Sequence, residues 1–433
     1  MSATGRKIAE GSVSFVPAEG QSHQSLNGWF FAMEDANPKA IVAEACEGLV
    51  NDLGSDLASV YLFGSLARGD FEPGRSDIDL LLVVDPSMPL VSARDAFRPL
   101  WRENAHIWQH GPLVATPADL ALHLALFPAF HRVLCRDARC LYGKPVLKDL
   151  PPPAPLDPVE EAAYIAARAA TYSSVLVPRN IAPARLGHLN RALMQLTKRV
   201  TNLEASGTLT ALEALLALHA RLRELARQMP QFAWRGEPPS GDVPSLLPGC
   251  LAFYQREEHL ITVLERVDEH TLSDVDWDEV GAAAEEAAAQ FALATPWQLR
   301  LAASQKWVDA LFFGGFDHIW GADILGDLEA SHRTLLRNLA RSAAEQRVEK
   351  LPLAYLVAEE DTISQLIHDT QNALLNAGLR AELFARFTDQ EFNLPEWTPP
   401  GRETPQHERV AAAWQRWREL MVYYAEMWRG ANA

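Results

Sequence analysis

Two apolar runs, Ser59–Phe63 and Ile78–Val84, have the strongest strand character in the chain, and a turn rich in Gly and Asp joins them. The first run ends on Gly64-Ser65, where the backbone has to turn sharply, and the second opens on Asp77-Ile78-Asp79. Side chains alternate along a strand, so Asp77 and Asp79 are expected on one face while Ile78 points into the core. The fold therefore has to bring a tight turn and an acid pair to the end of one small sheet.

Around this unit the periodicity predicts a helix from Pro38 to Leu53, a weaker strand at Pro112–Ala115, a helix from Pro117 to about Leu126 and an extended stretch at Ala138–Tyr142. Residues 1–38, with short apolar runs at Val13–Val16 and Trp29–Met33, read as an arm or edge hairpin. Five prolines between Lys148 and Pro158 mark a linker at 151–158. Beyond it, helical spacing is expected over 159–178, 183–205, 208–229, 249–268, 276–293, 297–312, 322–347, 351–376 and 408–429, and no repeat period is visible. The expected architecture is an α/β N-terminal domain (39–150, a small mixed sheet with helices) followed by a large all-α region. That region is expected to divide into helical domains 159–295 and 296–433.

A length of 433 residues exceeds one compact core. With 39 Lys+Arg against 56 Asp+Glu, the net charge of −17 argues against a broad footprint on a nucleic-acid polymer. A nucleotide, needing only a local phosphate site, is not excluded. Cys46, Cys135, Cys140 and Cys250 are too scattered for a disulfide framework and read as buried thiols. His106, His110, His123 and His131 match no ligand spacing and read as surface or core histidines. The first residues lack a signal-peptide core and no apolar run reaches a membrane span, so a cytoplasmic protein without membrane partners is expected.

Gly64 permits positive φ and close approach of a phosphate, and Ser65 adds a hydroxyl beside backbone N–H groups. Two carboxylates on one face repel each other unless a cation lies between them, and Mg²⁺ takes one or two carboxylates together with substrate phosphates. Singly, a Gly-Ser turn and an Asp-x-Asp are common. Their combination in strand, turn, helix, turn, strand order points to attack of a hydroxyl on the α-phosphorus of a nucleoside triphosphate.

The segments Gly64-Ser65-Leu66-Ala67-Arg68-Gly69 and Ser76-Asp77-Ile78-Asp79-Leu80 resemble the signature of the DNA polymerase beta-like nucleotidyltransferase superfamily, notably its minimal and aminoglycoside nucleotidyltransferase branches. The resemblance covers about residues 40–150. It extends faintly through Pro117–Ala125 and Asp137–Gly143, which resemble streptomycin/spectinomycin adenylyltransferases. It implies that Gly64 and Ser65 hold phosphates, that Asp77 and Asp79 hold Mg²⁺, and that AMP is moved from ATP to a hydroxyl of a small molecule or protein. It also implies a third carboxylate on a following strand, yet His110–Thr116 contains none. Glu103 and, less directly, Asp119 are the candidates for that role, with a solvated charge and a helix N-terminal residue as their structural alternatives.

Arg68 is a candidate phosphate partner or a surface pair with Asp70 or Asp77, and Arg75 reads as solvated. Lys198, on the helix expected at 183–205, stands where the resembled enzymes supply a phosphate-binding cation. Glu359-Glu360-Asp361 is either a solvated face or a site for a cationic substrate. A second reading keeps the nucleotide site but makes it catalytically weak or silent, with the helical region serving as a partner-binding surface in an antitoxin-like or regulatory role.

Overall fold

The computed structural model describes residues 37–154, apart from 72–75, 106 and 109, and segments of 158–431. The longest of those segments are 158–178, 183–201, 209–226, 249–256, 259–273, 275–286, 290–296, 317–324, 332–388 and 397–431. The arm at 1–36, Arg75, His106 and nearly all of the helix expected over 297–312 lie outside the described residues.

In chain order the first elements are α1 (Pro38–Leu53), β1 (Leu57–Phe63), the short α2 (Gly64–Arg68), β2 (Asp79–Val84), α3 (Leu90–Glu103), β3 (Leu113–Ala115), α4 (Pro117–Leu126), α5 (Pro128–Asp137) and β4 (Arg139–Gly143). There follow α6 (Pro158–Tyr172), α7 (Pro183–Thr201), α8 (Ala211–Ala226), β5 (Cys250–Arg256), β6 (His259–Leu264), α9 (Glu269–Leu272), α10 (Trp277–Glu286), β7 (Gln290–Ala294) and β8 (Asp317–Gly321). The chain ends with α11 (His332–Ala344), which passes through a π-helical turn at Glu345–Lys350 into α12 (Leu351–Tyr355), then α13 (Glu360–Thr388) and α14 (Gln406–Gly430). Contacts divide these elements into two compact units, Met1–Pro155 with Leu339–Ala433, and Leu156–Asn338.

In the first unit, α1 starts where Asn37 Oδ1 accepts from the amides of Lys39 (3.1 Å) and Ala40 (3.4 Å), with Pro38 at a position that needs no N–H. Its buried stripe of Val42, Ala45, Leu49 and Leu53 keeps the helical period. The sheet has the order β3-β2-β1-β4, with β1 antiparallel to β2 and β4 and with β2 parallel to β3. This is the small mixed sheet expected. Central β2 is buried on both faces, which explains its unbroken apolar run. Helix α3 runs through Glu103, so Trp101–Glu103 is helical rather than part of a strand. Its buried Leu90, Ala93, Ala96 and Phe97 recur at helical spacing.

One sheet face, carrying Tyr61, Leu81, Val83, Leu113 and Ala115, packs against Leu120, Leu124 and Leu134 and against Val348 from the π-helical turn. The C-terminal segment is thus part of the first unit's core. A buried ion pair fixes it there. Arg347 donates from Nε (3.0 Å) and Nη2 (2.8 Å) to Asp119 Oδ2, and Arg418 donates from Nε to Oδ1 at 3.1 Å. The Arg347 guanidinium lies over the Trp414 ring at 3.2 Å, while Trp414 Nε1 donates to the Arg347 carbonyl at 2.7 Å. Burial lowers the Arg347 pKa to about 10, against the opposing pull of Asp119.

In the second unit, α6, α7 and α8 share a core that includes Ile165, Leu193, Leu218 and Leu222. The large region after the first sheet is mainly helical, as expected, but it contains a second four-stranded sheet of order β7-β6-β5-β8. Two expectations are corrected here. Within the helix expected over 249–268, Cys250–Arg256 and His259–Leu264 are the antiparallel strands β5 and β6, and the helix expected over 276–293 ends at Glu286, ahead of β7. Phe253, Tyr254, Ile261, Thr262 and Val263 are aromatic or β-branched residues suited to a pleated surface, and a short apolar run fits either period. The expectation of buried thiols holds for Cys250 but not for Cys135 or Cys140, which are exposed on α5 and on edge strand β4. Among the described residues no single helix is long and apolar enough to cross a membrane.

Candidate active site

Phe63, the last residue of β1, pairs with Asp79, the first residue of β2. The chain therefore leaves β1 directly beside the Asp79 carboxylate. Gly64 turns it with φ +74°, and a Cβ built there would overlap that carboxylate, so both conformation and space require glycine. Ser65 follows, half-buried in α2, and its carbonyl accepts from the Gly69 amide at 2.9 Å as the turn closes. Ile78 is buried between the two acids, as the alternation predicts.

The third member of the group is a histidine. Strand β3 runs parallel to β2, with Leu81 opposite Leu113, and His110 lies just ahead of it. Asp77, Asp79 and His110 each present a potential metal-ligand atom, and these atoms lie within 4.8 Å of one another. His110 Nε2 is 3.0 Å from Asp77 Oδ2, and Nδ1 is 2.9 Å from the Gly111 carbonyl. A carbonyl only accepts, so Nδ1 carries a proton and donates it, which leaves Nε2 facing the acids. Metal-binding imidazoles are commonly oriented this way. The Gly111 amide donates to the Leu353 carbonyl at 3.1 Å, so α12 buttresses the loop that carries His110.

Burial, with the neighbouring Asp77 charge adding to it, raises the Asp79 pKa to about 7, while His110 and Arg68 partly offset the rise. For His110 burial acts downward. It is outweighed by the hydrogen bonds that the imidazole donates to Asp77 and to the Gly111 carbonyl and by the two aspartate charges, which together lift it to about 9. A pair of carboxylates held together at this cost, with a nitrogen donor beside them, fits a divalent cation. Such a cation would relieve the repulsion that raises Asp79.

The other residues singled out in the sequence lie elsewhere. Arg68 Nε is 3.2 Å from Asp70 and its Nη1 is 3.6 Å from Asp137, while its charge still reaches Asp79. Glu103 is exposed at the end of α3 and Asp119 is enclosed by Arg347 and Arg418, so neither joins the metal-ligand group. Lys198 is exposed on α7 in the second unit. Glu359 and Glu360 lie partly exposed and pair with Arg94, Arg98 and Arg102 of α3, with Arg94 Nη2 2.8 Å from Glu360. His110 is the residue that spacing rules missed. Its signal is topological, since it heads the strand that pairs in parallel with the acid-bearing one.

A strand, a glycine turn and an acid pair at the head of the next strand are the features expected of a nucleotidyltransferase domain. Residues 44–138 match the family described as the nucleotidyltransferase domain, which places this segment in the polymerase beta-like superfamily. No curated protein matches the sequence.

Proposed function

We propose that the first unit transfers a nucleoside monophosphate, AMP from ATP being the leading case, to a hydroxyl of a small molecule or protein with release of pyrophosphate. The observation that carries this reading is the contact geometry at the end of β1, where Gly64 turns against Asp79 with Asp77 and His110 in the same group. Asp77 and Asp79 would hold a divalent cation, Mg²⁺ in the simplest case. When bound, it supplies charge neutralisation for the triphosphate and the leaving pyrophosphate. The Gly64-Ser65 backbone and the Ser65 hydroxyl bind phosphate oxygens, and Arg68 adds a positive charge at the rim.

Asp77, held by His110, keeps one carboxylate fixed. Asp79, beside the Gly64 turn, would supply the second carboxylate to the cation. Glu103 and Lys198 have no part in this reading. The test is pyrophosphate release from ATP, GTP, CTP and UTP with Mg²⁺ or Mn²⁺ across a panel of hydroxyl acceptors. Release that is lost in Asp77→Asn and Asp79→Asn supports the roles, and unchanged turnover rejects them.

A second reading, a nucleotide-binding module without transfer, is favoured by one observation: the group's third member is His110 rather than a carboxylate. Nucleotide binding without pyrophosphate release from any triphosphate would select it.

A further inference from the structure

The two sheets share one design. In each, the first strand lies antiparallel to the second and the fourth, and the second lies parallel to the third, giving the orders β3-β2-β1-β4 and β7-β6-β5-β8. The irregularities coincide as well. The register slips between Leu57 and Ser59 and between Cys250 and Ala252, and again between Val60 and Tyr61 and between Phe253 and Tyr254. Each fourth strand ends on a positive-φ glycine, Gly143 (+80°) or Gly321 (+90°), where a Cβ would overlap the carbonyl of Ala58 or Leu251.

The next backbone bonds repeat too. Lys144 N donates to Ala58 O (3.2 Å) and Ala322 N to Leu251 O (2.9 Å). The third strands lead into Ala115-Thr116-Pro117 and Ala294-Thr295-Pro296. There each threonine hydroxyl accepts from the amide three residues on, Asp119 N at 3.2 Å and Gln298 N at 3.3 Å. Slips, a strained glycine and a cap at matching positions are independent local features, and chance does not align all of them.

What differs is the active-site equipment. In the first sheet the connection between the antiparallel pair spans residues 64–78 and carries Gly64, Ser65, Arg68 and Asp77. In the second sheet only Glu257-Glu258 separates β5 from β6. The pair equivalent to Phe63–Asp79 is Arg256–His259, so the position of Asp79 carries a histidine. In sequence, His110 stands three residues before Leu113, which pairs with Leu81, whereas the residue three before Ala292, which pairs with Ile261, is an alanine with no ligand atom.

We infer that residues 250–321, within the second unit, are an internal duplicate of the nucleotidyltransferase sheet that has lost its phosphate turn and its metal ligands. The chain then has two copies of the sheet and one nucleotide site. The inference extends the transferase reading of the first unit, because it assigns the single site to that unit and a non-catalytic scaffold to residues 250–321.

The test is equilibrium binding to the full chain of Mn²⁺ with ATP, and of GTP in parallel, for the wild type and the Asp77→Asn/Asp79→Asn double variant. Circular dichroism confirms that the variant is folded. One nucleotide per chain, weakened a hundredfold or more in the variant, is expected. Two nucleotides per chain, or a site that persists in the folded variant, would overturn the inference. No binding to the wild type would overturn the transferase reading of the first unit while agreeing with the loss assigned to the second. A crystal structure of the full chain in which residues 250–321 have another strand order would overturn the duplication itself.

Discussion

Replacing Asp119 with Asn tests how the C-terminal segment is held to the nucleotidyltransferase domain. The Asp119 and Arg347 side chains are 2% and 3% exposed, and three charge-assisted hydrogen bonds converge on the carboxylate. Asn keeps the shape, removes the charge and turns an N–H group toward a guanidinium. Breaking one partner of a buried pair leaves the other charge uncompensated, which costs about 3–5 kcal/mol. The local readout is hydrogen exchange in peptides from α4, the π-helical turn and α14, which reports the first unit separately from the second. The cost corresponds to a loss of protection on the order of 10²–10⁴ there. Peptides from α6–α8 should be unchanged. Arg347→Met alone should cost a similar amount, and combining it with Asp119→Leu should cost clearly less than the sum, because no buried charge then lacks its partner. A change below about 1 kcal/mol in Asp119→Asn, or strict additivity in the cycle, would refute the reasoning.

Other consequences centre on the acid pair. Because the folded protein holds the Asp79 proton up to about pH 7, Asp79 costs nothing well below the unfolded value near 4 and becomes progressively unfavourable as pH rises to 7. In metal-free protein Asp79→Asn should therefore stabilise the first unit at pH 8, on the order of 2–4 kcal/mol, with the gain vanishing near pH 4; thermal unfolding at both pH values checks the sign. Mn²⁺ affinity, measured by calorimetry, should rise close to tenfold per pH unit below pH 7 as the Asp79 proton is displaced, and a flat profile there contradicts the assignment. Gly64→Ala should abolish nucleotide binding and cost about 1–3 kcal/mol. Gly54→Ala, also at positive φ but with nothing within 4 Å, should keep binding.

The sequence disclosed the first sheet well because its signals are local. β1 and β2 are apolar runs, Thr116 and Pro117 start α4 as a cap and first-turn proline do, and Gly64 is demanded by its own backbone. His110 was not legible in this way, since only pairing of β3 beside β2 brings it to Asp77. Asp119 looked like a candidate acid until Arg347 and Arg418, more than two hundred residues away in sequence, enclosed it. The second sheet is not legible in the sequence for two reasons. Its strands are short apolar runs that fit a helical period equally well, and connections of unequal length between matched strands, 64–78 against 257–258, leave no constant repeat period.

The claim on which the rest depends is that Asp77 and Asp79 jointly hold a divalent cation against a triphosphate. Pulsed EPR of Mn²⁺ bound to the chain with ATP measures this directly. Bound Mn²⁺ with phosphorus hyperfine coupling is expected in the wild type, and loss of that species in Asp77→Asn/Asp79→Asn. An undiminished, phosphorus-coupled Mn²⁺ signal in the double variant would contradict it.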